Sequence, residues 1–457
     1  MRIELAFPFS SERIAGLLHL PCPPAAPTYI YAISTDSREA SPFDLFVDFV
    51  GDQFHQRQAA TQAALLLCPP CLGTDWESKA LFVQDVKAAF LTLATAYGRH
   101  FPCRRVAVGG SAGKTTAKEY LFSVLSKVYR TQKSHGNFNN EIGLAYTLFS
   151  LHPKTEYLIA ELGMNHAGEL RRLSCALSPQ SVILTNIGDA HLGNFNSIEE
   201  LTDAKMEILE GMSPDGGLFY GADSPPLQNR AFPCNALSVG LENADYRILN
   251  IRTDTGGTTF DLMSRQVLLR DLKIPSFGKY TALSAAFAVA FAVENRMDGE
   301  NIKEGLLSFT PPPLRQNVEV LKDGTTLFLD CYNASPASMR ASMETVCGLH
   351  TAPSVLLGGM NELGAFTEAL HREIGAYAYK MGIRYLFAFG KYAHLYAEGA
   401  MDAGMSRDCI FLFDAPNRAC AEAIRQRLTK KDFLLIKASR GERAEEILTE
   451  LLKIQEE

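Results

Sequence analysis

The sequence predicts an α/β protein of three domains, and three observations support that fold class. Its 457 residues suggest about three domains at the usual domain size. From residue 97 onward, short apolar runs alternate with helix-length segments, a pattern typical of largely parallel sheets with crossover helices. A proline run at residues 311–313 breaks helix and sheet alike, and therefore indicates a boundary nearby. We predict a small α/β N-terminal domain at 1–96, a central domain with a mostly parallel sheet at 97–316, and a Rossmann-like, doubly wound C-terminal domain at 317–457.

The N-terminal domain is predicted from short β-type runs that follow a proline-rich stretch at residues 21–27. Residues 29–33 and 45–47 are examples of these runs, because each is rich in aromatic, branched or other large apolar side chains. A helical segment over residues 86–97 then leads into the central domain.

The central domain begins with an apolar run at residues 106–108, followed by a glycine-rich loop and a helix. Two further runs, 157–160 and 181–184, predict strands of the same parallel sheet. Residues 285–293 are apolar but too few to span a bilayer, so they predict a buried helix. In the helix after the glycine loop, apolar spacing predicts one buried face formed by Ala117, Tyr120, Leu121, Val124, Leu125 and Val128.

The C-terminal domain has the most regular pattern of the three. Helical segments of about ten to fifteen residues separate short apolar runs at residues 354–357, 385–389, 410–413 and 433–436. This alternation is typical of a doubly wound parallel sheet. The charged residues 453–457 predict the frayed end of a last helix.

Composition and charge argue against several classes of protein. A net charge of −7 and a pI of about 5.9 are unfavourable for a general nucleic-acid binder, which needs clustered Lys and Arg, although they allow a site for one small anion. The first residues form no signal-peptide core and the chain has no run of about 18 apolar residues, so we expect a cytoplasmic protein without a membrane span. Ten scattered cysteines, with Cys68 and Cys71 as the close pair, favour a reducing compartment and buried thiols over a zinc or redox site.

The glycine-rich loop carries the strongest functional signal. It lies between a strand and a helix, where backbone N–H groups, the helix N-terminus and a lysine charge together bind phosphate, and a threonine hydroxyl can hold Mg²⁺. The loop is shorter than the usual P-loop, because Val108 stands where the first glycine would be. We predict nucleotide phosphate binding, rather than a plain strand–turn–helix, by Gly110, Ser111, Gly113, Lys114, Thr115 and Thr116.

Two candidate metal ligands follow the next predicted strands. Glu161 ends the run at 157–160, and His191 follows the run at 181–184. The carboxyl ends of parallel strands meet at one edge of the sheet, beside the phosphate loop. Because phosphoryl transfer needs charge neutralisation more than covalent chemistry from the protein, an acid and an imidazole at this edge favour a Mg²⁺ site. The alternative for Glu161 is a solvated strand end, and the alternative for His191 is a structural histidine.

Further motifs follow in order through all three predicted domains. They lie at residues 34–38, 44–47, 110–116, 136–143, 161–166, 185–191, 204–205, 330–339, 361–364, 371–375 and 437–440. The Asn-Phe-Asn-Asn-Glu string at 137–141 and the Tyr-Asn-Ala string at 332–334 are the most specific of them. Together with the short glycine loop, these motifs resemble the Mur ligases, which join an amino acid or dipeptide to a carboxylate. The branch they resemble adds D-alanyl-D-alanine to a UDP-N-acetylmuramoyl tripeptide.

The resemblance implies a catalytic ATP site that holds two Mg²⁺ ions. Lys114 and Thr115 would hold the β- and γ-phosphates, while Glu161 and His191 would bind metal. Lys205 matches a lysine that many Mur ligases carry as a carbamate, a modification that turns a cation into a carboxylate-like ligand for the second ion. The alternative for Lys205 is an ordinary surface lysine.

The resemblance also implies where the remaining groups bind. The residues that match positions at the ATP ribose and phosphates are Arg315, Asp330 and Asn333. The UDP part would bind at Ser37 and Arg38, where a guanidinium suits bidentate contact with phosphate. Asn137 and Asn140 match the central-domain loop that faces the acceptor.

The chain departs from the family pattern in several places. Residues 51–57 lack the Asp-Gly-His string near the uridine pocket, and residues 278–286 lack the His and Asn positions of the adenine side. Gly359 stands in place of the acid of a Gly-Asp-Met motif, and Gly109 in place of the leading threonine of the phosphate loop. Recognition positions therefore depart from the pattern more than catalytic positions do.

The activity that the resemblance implies is ATP-driven amide formation through an acyl phosphate, with domain closure to exclude water. The substrates would be the UDP-linked muramoyl peptide and D-Ala-D-Ala, and we expect a monomer. Two alternatives remain: a Mur-like ligase that joins another carboxylate to another amine, and a non-catalytic ATP-binding paralogue. Lys205 speaks against the paralogue, since a protein that only binds ATP has no need of a second metal.

Overall fold

Three β-sheets with helices packed on their faces follow one another along the chain. The computed structural model describes residues 1–51, 53–70, 76–188, 192–428 and 431–456. In this part of the chain the sheets have five, nine and six strands. The predicted α/β class in three domains is confirmed.

The N-terminal sheet keeps its strands in chain order. They are β1 (Arg2–Ser10), β2 (Tyr29–Ser34), β3 (Asp44–Val47), β4 (Leu65–Cys68) and β5 (Ala80–Phe82). The edge strand β1 runs antiparallel to β2, whereas the other neighbours are parallel. The helices of this region are α1 (Ser11–Leu17), α2 (Gln53–Gln62) and α3 (Val86–Gly98). Cys68 is buried, as predicted, and Cys71 lies outside the described residues.

The central sheet is parallel through most of its width. Its strands are β6 (Arg104–Gly109), β7 (Thr131–Lys133), β8 (Tyr157–Glu161), β9 (Ser181–Leu184), β10 (Gly217–Gly221), β11 (Asn235–Gly240), β12 (Tyr246–Asp254), β13 (Gly257–Met263) and β14 (Leu268–Ile274). Their order across the sheet is β14-β13-β12-β11-β10-β9-β6-β8-β7, and only the β12–β13 and β13–β14 pairs are antiparallel among the described strands. The helices are α4 (Lys114–Leu125), α5 (Glu141–Phe149), α6 (Glu169–Leu177), α7 (Ile198–Met206), α8 (Lys279–Glu294) and α9 (Gly299–Leu307).

The burial of α4 and α8 follows the apolar pattern closely. Every residue predicted for the buried face of α4 up to Leu125 is fully buried. The prediction was wrong for Val128, which is 47% exposed because the helix ends at Leu125. Helix α8 is apolar all round and packs against α4, as expected for a helix buried inside the domain.

The C-terminal sheet is doubly wound, as predicted. Its strands are β15 (Asn317–Val320), β16 (Thr326–Leu329), β17 (Ser354–Leu357), β18 (Leu386–Phe389), β19 (Ile410–Phe413) and β20 (Phe433–Lys437), in the order β15-β16-β20-β17-β18-β19. The edge strand β15 is antiparallel to β16, and the remaining pairs are parallel. The helices are α10 (Pro336–Leu349), α11 (Thr367–Lys380), α12 (Ala393–Asp402), α13 (Arg418–Arg427) and α14 (Glu446–Glu456).

Short 3₁₀ helices complete the connections and bring two domains into contact. They lie at Glu77–Lys79, Leu192–Asn194, Glu207–Leu209, Pro225–Leu227, Gly364–Phe366, Arg407–Cys409 and Arg440–Glu442. Gly193 of the central domain packs against Gly364 of the C-terminal domain so closely that a Cβ on Gly193 would lie 3.2 Å from the Gly364 nitrogen. The described residues include no helix with the length and apolar character that crossing a bilayer requires.

Candidate active site

At two positions of the loop after β6, the backbone has a positive φ angle that only glycine adopts easily. Gly110 has φ +134° and Gly113, which precedes the first residue of α4, has φ +78°. A Cβ on Gly110 would lie 2.1 Å from the Thr185 hydroxyl oxygen, so no side chain fits there. The two glycines therefore set both the turn of the loop and its close approach to the end of β9.

Residues after β9 hold the phosphate loop in place. The Ser111 nitrogen donates to the Asn186 carbonyl at 2.9 Å, and the Ala112 nitrogen donates to the Asn186 side-chain oxygen at 2.9 Å. The Thr185 hydroxyl donates to the Ala112 carbonyl at 2.6 Å. Thr185 and Asn186 begin the motif at residues 185–191, but neither was among the predicted site residues. These hydrogen bonds fix the loop to the segment that follows β9.

Lys114 folds back over the same loop. Its ammonium donates to the Gly110 carbonyl at 2.8 Å and to the Ser111 carbonyl at 3.3 Å. Burial lowers the pKa of Lys114, and the charge of Arg315 adds to this effect while that of Glu161 opposes it. A cation held by neutral carbonyls can exchange them for phosphate oxygens, which form stronger, charge-assisted hydrogen bonds.

Glu161, at the end of β8, forms a buried oxygen cluster with the start of α4. Its carboxylate accepts from the Thr115 hydroxyl at 2.8 Å and from the Asn139 amide at 3.0 Å, and it is only 2% exposed. Hydroxyl and carboxylate oxygens are ligands that Mg²⁺ prefers, and Mg²⁺ is usually held by one or two carboxylates together with substrate phosphates. The arrangement therefore fits Mg²⁺ bound jointly with a nucleotide.

Lys205, on α7, is 2% exposed rather than a surface lysine. Burial lowers its pKa to about 7, with a further contribution from the charge of Lys114. No residue in the described part of the chain forms a hydrogen bond or an ion pair with its ammonium group. The other predicted metal ligand, His191, lies outside the described residues.

The C-terminal domain supplies a second charged cluster at the ends of β16 and β20. Asp330 accepts from the Lys437 ammonium at 2.7 Å and from the Ser342 hydroxyl at 2.6 Å. Burial acts to raise the pKa of Asp330, but the charge and hydrogen bond of Lys437, with the Ser342 bond, outweigh it and the pKa is lowered. The Asn333 carbonyl accepts from the same ammonium at 3.1 Å, so Lys437 joins two of the predicted ATP-site residues.

Arg315 connects this domain with the phosphate loop. It donates to the Thr115 hydroxyl at 3.2 Å, and its guanidinium carbon lies 4.2 Å from the centre of the Tyr332 ring. Such stacking fixes the direction of a planar guanidinium. Arg315 thus lies where it can contact an anion on the phosphate loop.

A cleft of about 260 Å³ lies between the phosphate loop and the C-terminal domain. Gly113, Thr116 and Tyr280 line one wall, and Asp330 and Ser342 line the other. Tyr280 stands in the segment that departs from the family pattern. The cleft is large enough for part of a nucleotide, with its phosphates at the loop.

An ion pair between two domains lies beside this cleft. Lys279, the first residue of α8, pairs with Glu344 of α10 at 2.9 Å. The Tyr377 hydroxyl of α11 donates to the same carboxylate at 2.9 Å. The ion pair therefore joins the central and C-terminal domains beside the cleft.

A second cavity, of about 380 Å³, opens on the other side of the phosphate loop. Lys114, Asn139 and Asn140 contribute to its lining. The Asn140 side chain also caps α5 by accepting from the Gly143 nitrogen at 2.9 Å. Asn137 is exposed and lies outside this lining. Sequence reasoning predicted Asn137 and missed Asn139, although both belong to the same string of residues.

The predicted residues of the N-terminal domain line a cavity of about 500 Å³. The buried Ser37 hydroxyl donates to the Gln58 side chain at 2.8 Å. The Arg38 guanidinium donates twice to Asp36, at 2.9 Å and 2.6 Å, and the Arg38 backbone nitrogen donates at 3.0 Å. These bonds, the side-chain ones most, lower the pKa of Asp36. The Arg38 side chain is 79% exposed, so its guanidinium is open to a ligand.

Comparisons with known proteins agree with this arrangement. Residues 108–292 match the Mur ligase middle domain, and residues 315–440 match the Mur ligase glutamate ligase domain. The chain is 32% identical over 435 residues to the UDP-N-acetylmuramoyl-tripeptide–D-alanyl-D-alanine ligase of Bacillus subtilis, an alignment that covers 93% of this chain and 94% of that protein.

Solved structures give the same result. MurF from Acinetobacter baumannii superposes with a TM-score of 0.89 at 25% identity, covering 99% of this chain and 100% of that one. MurF ligase from Thermotoga maritima, solved in complex with ADP, superposes with a TM-score of 0.82 at 25% identity, covering 93% of this chain and 97% of that one. The sequence identity, the matched domains and the superposed structures agree: the chain belongs to the Mur ligase family.

Proposed function

We propose that this protein joins D-alanyl-D-alanine to UDP-N-acetylmuramoyl tripeptide in an ATP-dependent reaction that passes through an acyl phosphate. One observation carries the proposal: the phosphate loop separates two cavities. Gly113 and Thr116 line the cleft beside the C-terminal domain, whereas Lys114 lines the cavity on the other side. A γ-phosphate on the loop and a carboxylate in the second cavity would therefore meet at Lys114.

In the first step, the acceptor carboxylate attacks the γ-phosphorus, and ADP leaves. Lys114 and the loop N–H groups hold the transferring phosphoryl group, and Arg315 lies within hydrogen-bond distance of the same loop. Gly110, Ser111, Thr116, Asp330 and Asn333 complete the proposed ATP site. The relative solved with ADP supports this use of the loop.

Mg²⁺ would bind at Thr115 and Glu161, with Lys205 and His191 proposed at a second ion. When bound, the ions screen the negative charge that accumulates as carboxylate and phosphate approach. The buried hydroxyl–carboxylate pair at 2.8 Å supports the first of these sites.

We propose that Lys205 is carbamylated. A carbamate forms only when a neutral amine attacks CO₂, and a buried lysine with a pKa of about 7 is neutral in a large fraction of molecules. The product is an anion, which a second Mg²⁺ in the same buried region would stabilise.

In the second step, the free amine of the dipeptide attacks the acyl carbon, and phosphate leaves from the tetrahedral species. The proton of the attacking nitrogen passes to solvent or to a nearby base. The contacts between Gly193 and Gly364, and between Lys279 and Glu344, join the two domains, and closure of these domains around ATP would help to keep water away from the acyl phosphate.

The UDP part of the acceptor would bind in the N-terminal cavity at Ser37 and Arg38, with Asn137 and Asn140 nearer the peptide. We propose domain limits at residues 96/97 and 316/317, noting that the first falls inside α3 (Val86–Gly98) and the second at the start of β15. We also propose that the enzyme is a cytoplasmic monomer.

The decisive experiment measures phosphate release by the purified protein with ATP and Mg²⁺. We expect release only when both UDP-muramoyl tripeptide and D-Ala-D-Ala are present, together with a product of the corresponding mass. Release with the tripeptide and a different amine would favour a Mur-like ligase of other specificity. Tight ATP binding without turnover on any carboxylate would instead favour the non-catalytic paralogue.

A further inference from the structure

Lys118 is a fully buried lysine that the proposed reaction does not use. It lies on α4, one turn after Lys114, and its side chain is 0% exposed. Its ammonium donates to the Ser134 carbonyl at 3.0 Å and to the Gly136 carbonyl at 2.7 Å. A buried ammonium is stable only when it is paired and hydrogen-bonded. The presence of a buried lysine at this position therefore calls for a structural or functional explanation.

Two carboxylates surround the same ammonium. Glu161 lies 3.7 Å from it and Glu119 lies 3.4 Å from it. Glu119 is paired in turn with Lys133, whose side chain is 29% exposed. Four alternating charges therefore run from the protein surface at Lys133 to the proposed metal ligand Glu161.

The loop that Lys118 holds is the one that presents Asn139. The loop is also fixed to β8, because the Glu161 nitrogen donates to the Ser134 hydroxyl at 3.0 Å. At its far end, the Gly163 nitrogen donates to the Asn139 carbonyl at 2.8 Å. Without Lys118, the carbonyls of Ser134 and Gly136 would lose a charged donor, and the segment between these two fixed points would be free to shift.

We propose that Lys118 is a positioning residue that fixes the 134–140 loop and thereby shapes the cavity for the acceptor. The loop contributes Asn139 and Asn140 to that cavity, whereas none of the residues that line the nucleotide cleft in the described chain comes from it. Lys118 is not among the residues that line either cavity, so its effect on acceptor binding comes through the loop, whereas its ion pair with Glu161 affects the proposed metal ligand more weakly. The kinetic part of this inference rests on the proposed function, but the positioning of the loop does not.

The test compares Lys118→Met with Lys133→Met, which removes the outer cation of the same charge chain. For Lys118→Met we expect hydrogen exchange at residues 134–140 to rise at least tenfold and the KM for the acceptor to rise at least tenfold. The KM for ATP should rise by about threefold at most, an effect of losing the cation 3.7 Å from Glu161. We expect Lys133→Met to behave like the wild type. Lys118→Arg keeps the charge and the donors, so it should restore most of the exchange protection.

Unchanged exchange at residues 134–140 in Lys118→Met would overturn the proposal. So would a rise in the KM for ATP that parallels the rise for the acceptor. If Lys118→Met does not fold, Lys118→Gln, which keeps an uncharged amide donor group, is judged by the same criteria. If the wild type does not turn over the muramoyl tripeptide, the proposed function fails, while the exchange measurement still decides whether Lys118 holds the loop.

Discussion

The phosphate-loop site and the N-terminal cavity are built in opposite ways. In the first, the Glu161 carboxylate is 2% exposed and already accepts hydrogen bonds from Thr115 and Asn139. In the second, the Arg38 side chain is 79% exposed and pairs with the nearby Asp36. Buried polar groups that hold one another keep their geometry when substrates come and go, whereas an exposed pair exchanges freely with water.

This difference predicts how substitutions act in each region. Changes in the buried cluster should reduce the rate of the chemical step, since preorganised charge is where catalysis gains most. Changes in the open cavity should weaken the binding of one substrate and leave the rate nearly intact. Substitutions in the two regions test this division between effects on the rate and effects on substrate binding.

The largest effect is expected for Lys114→Ala. Loss of the ammonium leaves the transferring phosphoryl group without its charged donor, so kcat should fall about 10³-fold or more, measured as ADP release with saturating substrates. Lys127→Ala, an exposed lysine just beyond α4, is the matched control and should keep the wild-type rate. A residual kcat within tenfold of the wild type would remove Lys114 from the reacting site.

A second test concerns Lys205→Ala. If Lys205 carries a carbamate on a second ion, kcat should fall about 10²–10³-fold while ATP binding, measured by calorimetry, stays within about threefold. Formate or acetate, added at increasing concentration, should restore part of the rate, because a small carboxylate can occupy the vacated position. A fully active variant, or a dead variant that no carboxylate rescues, would contradict the carbamate.

The open cavity is tested by Arg38→Ala. The guanidinium is proposed to contact a phosphate of the UDP group, so the KM for the acceptor should rise about tenfold, with kcat and the KM for ATP unchanged. Arg13→Ala on α1, another exposed arginine of the same domain, should leave all three constants unchanged. A fall in kcat larger than the rise in KM would break the proposed division between the two regions.

The phosphate loop could be predicted from the sequence because its geometry is local. Gly110 and Gly113 are needed by their own backbone angles, and Lys114 follows them directly. Glu161 could be placed at the same edge because parallel strands end together. No comparable local rule exists for Asn139 or Lys118, whose roles depend on contacts with α4 and β8 that form only in the folded chain.

The segment that departs from the family pattern also has contacts that the sequence alone does not predict. Tyr280 lines the nucleotide cleft, and the neighbouring Lys279 pairs with Glu344 of the C-terminal domain. The sequence shows that a histidine and two asparagines are replaced in this segment. Only the structure shows that Lys279, at a position that the pattern leaves free, links two domains.

The smallest expected effect comes from a buried polar group outside the reacting cluster, His371. It is fully buried, its Nε2 accepts from the Met360 nitrogen at 3.1 Å, and its Nδ1 lies 2.6 Å from the Thr367 carbonyl, so the neutral ring satisfies both contacts. Burial lowers its pKa below the ordinary 6.5. The unfolded chain therefore binds the proton more tightly, and the stability that the neutral ring contributes is complete above pH 6.5 and is lost as the pH falls through the folded pKa.

The pH dependence of thermal unfolding checks this contribution. Between pH 7.5 and 5.5, the midpoint of the wild type should fall by roughly 2 °C more than that of His371→Gln, which has no proton to gain. His19→Asn, at an exposed histidine just after α1 in the N-terminal domain, should keep the wild-type slope. Because His371 fixes the backbone after β17 and touches no substrate in the proposed scheme, kcat for His371→Gln at pH 7.5 should stay within about twofold. A large loss of rate in this variant would mean that a buried residue outside the reacting cluster also affects catalysis. That result would contradict the proposed division between the phosphate-loop site and the N-terminal cavity.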